Sequence, residues 1–470
     1  MVSISRFPFP VFRCCFSLLT FFFALPTFSQ QRWERTYGGA SGDYGHSVQQ
    51  TSDGGYIVAG LTRSFGAGNY DVYLIKTNAS GDTLWTRTYG GKNWDQGNSV
   101  QQTTDGGYII VGYTSSFRDT LSDDVYLIKT DASGDTLWTK TYGGNFGDEG
   151  WSIQQTSDGG YIIAGITSSF GVNTDVWLIK TNASGNTLWT RTYGGTSWDL
   201  GEDVKQTTDG GYIIAGWTRS FGNSDQVYLV KTNASGDTIW TRTYGGTNQD
   251  WGNSVQQTLD GGYIVAGWTN SFGNTWQVYL IKTNALGDTL WTRTYGGAME
   301  EYGYSVHQTT DRGYIVVGVT SSFGNNYQVY LIKTNASGDT LWTRTYGGAA
   351  YDEGRTVQQT SDGGYIIAGS TASFGPGSYD VYLIKTDANG NVGTERGQGF
   401  EGPRVQGLKI TPNPFISFAT LPGHEAERFS LYDIAGRRVG TYRGDRIGEG
   451  LTPGVRTGPR QTGLKRGCGS

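Results

Sequence analysis

Carboxylates are the residues whose number and spacing could do chemistry in this chain. An acid stands ten residues after each of seven regularly spaced tryptophans, at Asp43, Asp95, Asp148, Asp199, Asp250, Glu301 and Asp352. A second series, Asp53, Asp105, Asp158, Asp209, Asp260, Asp311 and Asp362, follows ten residues later. A ring of carboxylates could hold a cation, and a pair could hydrolyse a glycosidic bond. Sevenfold recurrence favours a role in the fold instead, because Asp caps turns by accepting backbone N–H groups. No pair stands out among the seven. The rest of the catalytic repertoire is thin. The three histidines, His46, His307 and His424, do not recur with the repeat, and the cysteines are Cys14, Cys15 and Cys468. No H-x-x-x-H, C-x-x-C, D-x-D-x-D-G or G-x-S-x-G pattern occurs. The expectation is therefore no metal, no cofactor and no conventional hydrolase site.

Binding chemistry is better represented. Between near-invariant neighbours stand seven residues that are all polar or aromatic: His46, Asn98, Trp151, Glu202, Asn253, Tyr304 and Arg355. Five tryptophans beyond the repeating set, Trp198, Trp217, Trp251, Trp268 and Trp276, gather in the fourth and fifth units. Exposed indoles beside Glu149, Glu202 and Arg219 would suit the stacking and hydrogen bonding of a sugar or a peptide. The plain alternatives are tolerant strand ends for the first group and packing beneath longer loops for the second.

These residues must be positioned by the repeat itself. Trp33, Trp85, Trp138, Trp189, Trp240, Trp291 and Trp342 are 51–53 residues apart. Each unit holds four runs rich in β-branched and aromatic residues, bounded by Gly, Asn or Asp. In the unit opening at Trp240 the predicted strands are d, 240–244; a, 253–258; b, 263–269; and c, 278–283. Seven such units predict an all-β fold: a seven-bladed β-propeller of four-stranded antiparallel blades over 30–392. The first unit begins with strand d and the last ends with strand c. Trp33–Tyr37 should therefore pair with 381–386 and close the ring. The a–b and c–d turns are nearly identical in every unit, whereas the d–a and b–c loops differ. The two variable connections share one face, where ligand contacts are expected, centred on units four and five.

The recurring run Y-I-I-A-G…D-V-Y-L-I-K-T-N-A-S-G-D-T-L-W…T-Y-G-G resembles the secreted seven-bladed β-propeller repeat (SBBP) family over 33–392. Beyond it, K-I-T-P-N-P-F (409–415), L-Y-D-I-A-G-R-R-V (431–439) and G-E-G-L-T-P-G-V (448–455) resemble the C-terminal sorting domain of type IX secretion cargo. That resemblance implies a small β-sandwich tail over 409–470 and the export machinery of a Bacteroidota-like Gram-negative bacterium as a partner. After Val455 the chain departs from the pattern, with a basic stretch where an apolar strand would stand, so the tail is expected to be incomplete. Residues 393–408 read as a Gly-rich linker.

The N-terminus agrees with export. Arg6 and Arg13 precede the apolar run 16–25, which is too short to span a bilayer, and residues 1–29 read as a signal peptide. No membrane span is expected after cleavage. Of the net charge of −5, the signal carries +2 and residues 396–470 carry +6, leaving −13 on the body. An acidic body offers nothing to nucleic-acid phosphates. The reading is a secreted or cell-surface, non-catalytic propeller that binds a polysaccharide or a surface protein. A carbohydrate-active enzyme or a structural surface-layer component are the alternatives.

Overall fold

The computed structural model describes residues 32–117, 122–324 and 326–393, together with the strands Arg396–Gln398, Arg428–Tyr432, Arg438–Arg443 and Leu464–Arg466. The predicted signal peptide lies outside the described residues, as does most of the predicted linker and tail. Every regular element among the described residues is a strand. Seven antiparallel sheets, each ordered a-b-c-d from the channel outward, form the propeller. Blade 1 is Asp43–Gln50, Tyr56–Thr62, Asp71–Thr77 and Thr83–Tyr89, and the pattern repeats. Blade 7 is completed across the chain ends. Trp33–Tyr37 pairs antiparallel with Asp380–Thr386, Trp33 opposite Lys385 and Tyr37 opposite Val381. This is the closure that the order of the repeat requires.

The core lies between blades. Ile57, Ala59, Val72 and Leu74 of blade 1 pack on Val100, Tyr108, Ile110, Tyr126 and Ile128 of blade 2, and equivalent clusters occupy the other joints. Full burial of each such aliphatic side chain contributes roughly 1.5–3 kcal/mol. The repeating Trp and Tyr of strand d fasten each blade to the c–d turn of the next. Trp85 lies against Gly134, and the Tyr89 hydroxyl donates to the Gly134 carbonyl at 2.6 Å. That glycine has φ +79°, and a Cβ there would sit 2.8 Å from the Trp85 ring, so the position admits no side chain.

Both acid series belong to this scaffold. Asp43, Asp95, Asp148, Asp199, Asp250, Glu301 and Asp352 are fully buried. In blade 1, Asp43 accepts from the Thr62 and Ser64 hydroxyls and from the Gly39 N–H, so it caps a loop and does not line a cation site. In the second series Asp53 accepts from Thr51 and from the Gly55 N–H, and pairs at 2.9 Å with Lys76, whose side chain is buried. The same Asp–Lys pair recurs in every blade. The Q-Q dipeptide does similar work. The second Gln of each blade accepts a backbone N–H from the blade before it, from Ser52 to Gln102 onward, ending with Ser361 to Gln50.

Three elements differ from expectation. Strand a of blade 5 begins at Asp250, three residues before the predicted start, because a bulge carries the chain through a glycine that reads as a turn. Within the predicted linker, Arg396–Gln398 pairs in parallel with the Trp33–Tyr37 strand and gives blade 7 a fifth strand. In the predicted tail, Arg428–Tyr432 pairs with both Arg438–Arg443 and Leu464–Arg466, so a strand does form beyond Val455.

Candidate functional site

Each strand a carries a β-bulge at one position. The register skips from Gly45 to Ser47, Gly97 to Ser99, Gly150 to Ser152, Gly201 to Asp203, Gly252 to Ser254, Gly303 to Ser305 and Gly354 to Thr356. The skipped residues are His46, Asn98, Trp151, Glu202, Asn253, Tyr304 and Arg355, the seven variable positions. A bulge leaves its extra residue unpaired and re-aims its side chain. Opposite the bulge a glycine is obligatory: a Cβ on Gly60 would stand 1.8 Å from the Tyr44 carbonyl oxygen. The last Gly of Y-I-I-A-G is therefore the complement of the bulge.

All seven bulge residues line one central cavity of about 690 Å³, joined by Trp251, Trp268 and Tyr302. Below them lies a layer of Ser47, Ser99, Ser152, Asp203, Ser254, Ser305 and Thr356, and below that the Gln49 level, where Lys205 and His307 replace glutamine. Three bulge residues reach the next blade. His46 Nδ1 meets the Gly97 carbonyl at 3.1 Å, Asn98 donates to the Gly150 carbonyl at 2.8 Å, and Asn253 donates to the Gly303 carbonyl at 2.7 Å. Arg355 lies 4.6 Å over the Tyr304 ring and pairs with Glu353 at 2.9 Å. Asp203 accepts from Ser152 and from the Val255 N–H, and pairs with Lys205 at 2.5 Å. Glu202 has no hydrogen bond or ion pair among the described residues. Burial and the nearby Glu149 raise its carboxyl to about 7, against the opposing charge of Arg355. Burial, then Arg355, lowers His46 to about 4, which keeps its ring neutral.

Nine of the fourteen residues singled out from the sequence line this cavity, and five do not. Trp217 was expected to be exposed and is 3% exposed. It stacks on Trp251 at 4.5 Å, and Trp251 stacks on Trp268 at 4.5 Å, so the ring fills the joint between blades 4 and 5. Trp276 meets Trp268 edge-on at 4.7 Å. Arg219 is held by Asp225 at 2.7 and 3.1 Å and lies over Trp198 and Trp217, which commits its fork to the loop. Glu149, raised to about 7 by burial and by Asp123, stands off the cavity wall. The cavity draws lining residues from every blade, with Trp251 and Trp268 of unit five and Glu202 of unit four among them.

The comparisons with known proteins are consistent with the fold. No family profile and no curated protein matches the chain. Among solved structures, a puromycin hydrolase mutant complexed with PGG aligns at TM-score 0.52 and 13% identity, over 86% of this chain and 61% of its own. A Bacteroides caccae protein of unknown function aligns at TM-score 0.39 and 14% identity, covering 63% of this chain and 98% of that one. The Neurospora crassa Pan2 WD40 domain aligns at TM-score 0.45 and 9% identity, over 77% and 92% of the two chains. At these identities the likeness concerns architecture alone.

Composition hid one further feature. The residue before strand c is aromatic in blades 1, 5, 6 and 7 (Tyr70, Trp276, Tyr327, Tyr379) but Asp123, Thr174 and Asp225 in blades 2–4. Ring contacts run from Trp94 through Tyr70, Tyr44, Tyr379 and Tyr351 to Tyr327. Glu300 then bridges the Tyr327 and Tyr302 hydroxyls, and Tyr302 meets Trp268. One side of the mouth is an aromatic arc and the other is acidic. Counting tryptophans alone finds only one end of that arc.

Proposed function

We propose that this protein is a secreted propeller that binds a glycan in the central cavity of its variable face. The observation that carries this reading is the set of seven bulges, which deliver seven dissimilar polar or aromatic side chains to a single cavity of about 690 Å³. That volume is within the usual range for small-molecule sites. The lining combines amides, hydroxyls and aromatic rings, which suits hydroxyl-rich ligands with apolar faces. The N-terminal segment and the C-terminal motifs support delivery to the cell surface by a type IX route.

An enzymatic reading has one observation in its favour, the two carboxyls of Glu149 and Glu202 raised to about 7, a value useful to a general acid. Glu149 does not line the cavity, so only one of the two carboxyls faces a ligand there, and binding is the better account. The test is a glycan-array screen followed by titration of the strongest ligand against Trp268→Ala. Loss of one stacking ring is worth on the order of 0.5–1.5 kcal/mol, so affinity should fall roughly 2- to 13-fold. Unchanged affinity in a folded variant would remove the cavity from consideration.

A further inference from the structure

The charges of the cavity do not cancel, and the remainder points to one kind of ligand. Arg355 is matched by Glu353 at 2.9 Å, and Lys205 by Asp203 at 2.5 Å. Glu202 alone among the charged lining residues has no counter-ion among the described residues. It also has no structural task. Asn98 and Asn253 use an amide donor to join their blade to the next. An ionised Glu at the same bulge has no proton to give. Asn or Gln would serve the scaffold better there, because a half-buried carboxylate without a partner is costly.

The surroundings favour a cation over a metal ion. Among the described residues no group of three His, Cys, Asp or Glu is placed to hold a metal. Glu202 comes from blade 4, and blade 3 brings Trp151 to the same cavity, whereas the faces of Trp251 from blade 5 are taken by Trp217 and Trp268. Indole faces attract an ammonium group through the ring quadrupole. The acidic body, −13 over residues 30–395, raises the local concentration of cations at a mouth walled by low-dielectric rings. Arg355, from blade 7, lies over Tyr304 and is bound to Glu353; its charge reaches Glu202, but the Glu353 carboxylate beside it offsets much of its repulsion of a positive ligand.

We propose that the cavity takes an amino sugar, with the ammonium group paired to Glu202 beside Trp151. This rests on the glycan reading above and narrows it to a de-N-acetylated saccharide. Amide-bearing and neutral sugars leave Glu202 unmatched, and uronates add a second negative charge beside it.

Calorimetry on the full chain with the β-1,4-linked glucosamine trimer and the N-acetylglucosamine trimer tests this. A charge-assisted hydrogen bond gives on the order of tenfold or more in affinity. The glucosamine trimer should bind at least about tenfold more tightly, and added salt should narrow that gap. In Glu202→Gln the preference should collapse to within about threefold, with the melting temperature kept or raised. Equal affinity for the two trimers, or a preference that survives in Glu202→Gln, overturns the amino-sugar assignment and leaves the glycan reading standing. Binding of a lysine tripeptide but neither trimer, abolished by Glu202→Gln, overturns both in favour of a basic peptide partner. Binding of none of these probes, with no array ligand either, ends both readings.

Discussion

The two faces of the ring are built from the same strands yet use side chains in opposite ways. On the uniform face the buried Lys and the second Gln of each blade have partners supplied by the repeat. Lys231 pairs with Asp209 at 2.9 Å as Lys76 pairs with Asp53, and the second Gln of every blade accepts from the blade before it. On the variable face the buried acids keep recurring partners, but the partners of the charged loop and cavity residues are individual. Arg219 finds Asp225, Arg355 finds Glu353, and Glu202 finds none. A side chain whose partner recurs sevenfold serves the ring. A side chain placed by the same bulge but without a recurring partner is free to serve a ligand. The difference predicts where substitutions cost stability and where they cost binding.

The largest effect should come from the joint that uses the repeat across the chain ends. Trp33 is 4% exposed, donates from its indole N–H to the Ala79 carbonyl at 3.2 Å, and packs edge-on to Tyr56 at 5.7 Å. Its strand also completes blade 7. Trp33→Ala should destabilise the propeller by about 3–5 kcal/mol, read as a lower urea midpoint. A loss below about 1 kcal/mol would mean that closure does not depend on this docking, and the ring would then be held by its other joints alone.

A smaller effect tests how far the asymmetry of the mouth reaches into the scaffold. The first residue of strand c is Gln in blades 4–6 and Asp in the other four. Gln226 donates to the carbonyls of Asp225, Gly246 and Asn248. Asp380 instead sits beside buried Asp43, with one carboxyl oxygen unpartnered. Burial raises the Asp380 carboxyl to about 6. The folded state therefore holds this proton more tightly than the unfolded chain. The stabilisation from that proton is fully present below about pH 4 and is lost as pH rises through about 6. Asp380→Gln should thus stabilise by ~1 kcal/mol at pH 7.5, with the gain shrinking towards pH 4. A gain independent of pH would show that the Asp380 carboxyl is not raised in the folded state.

Much of the fold was legible because it is written seven times. Trp spacing, the D-G-G turns and the order of strands d to c give the blade count and the closure without any contact information. The bulge was not legible, since a glycine between an acid and a serine reads as the end of a loop. It becomes visible only when Gly60 and its equivalents are seen to need the space opposite. The seven variable residues were found by comparing units, and all seven reach the cavity. Which of them are neutralised was not legible. Glu353 and Lys205 are two residues from Arg355 and Asp203 along a strand, and strand spacing alone does not say which pairs meet. The tyrosine arc was missed because Tyr44, Tyr327, Tyr351 and Tyr379 lie in different blades and loops, one or two per unit, and only the ring closure assembles them.

The smallest expected effect is the sharpest test of the comparison, because it sets one tryptophan against another. Trp198 lies on a variable loop, is 51% exposed, and touches the scaffold chiefly through the Arg219 guanidinium 5.4 Å above its ring. Arg219 keeps its fork on Asp225 without that ring. Trp198→Ala removes an exposed cation–π contact, so the loss should be about 0.5 kcal/mol. That is several-fold less than at Trp33, although both substitutions delete the same side chain. Trp198 does not line the cavity, so affinity for any cavity ligand should also stay within about twofold, below the effect of losing a stacked ring. A stability loss above about 2 kcal/mol would place Trp198 in the scaffold. A large loss of affinity at unchanged stability would extend the binding surface from the channel outward onto the loops of blade 4.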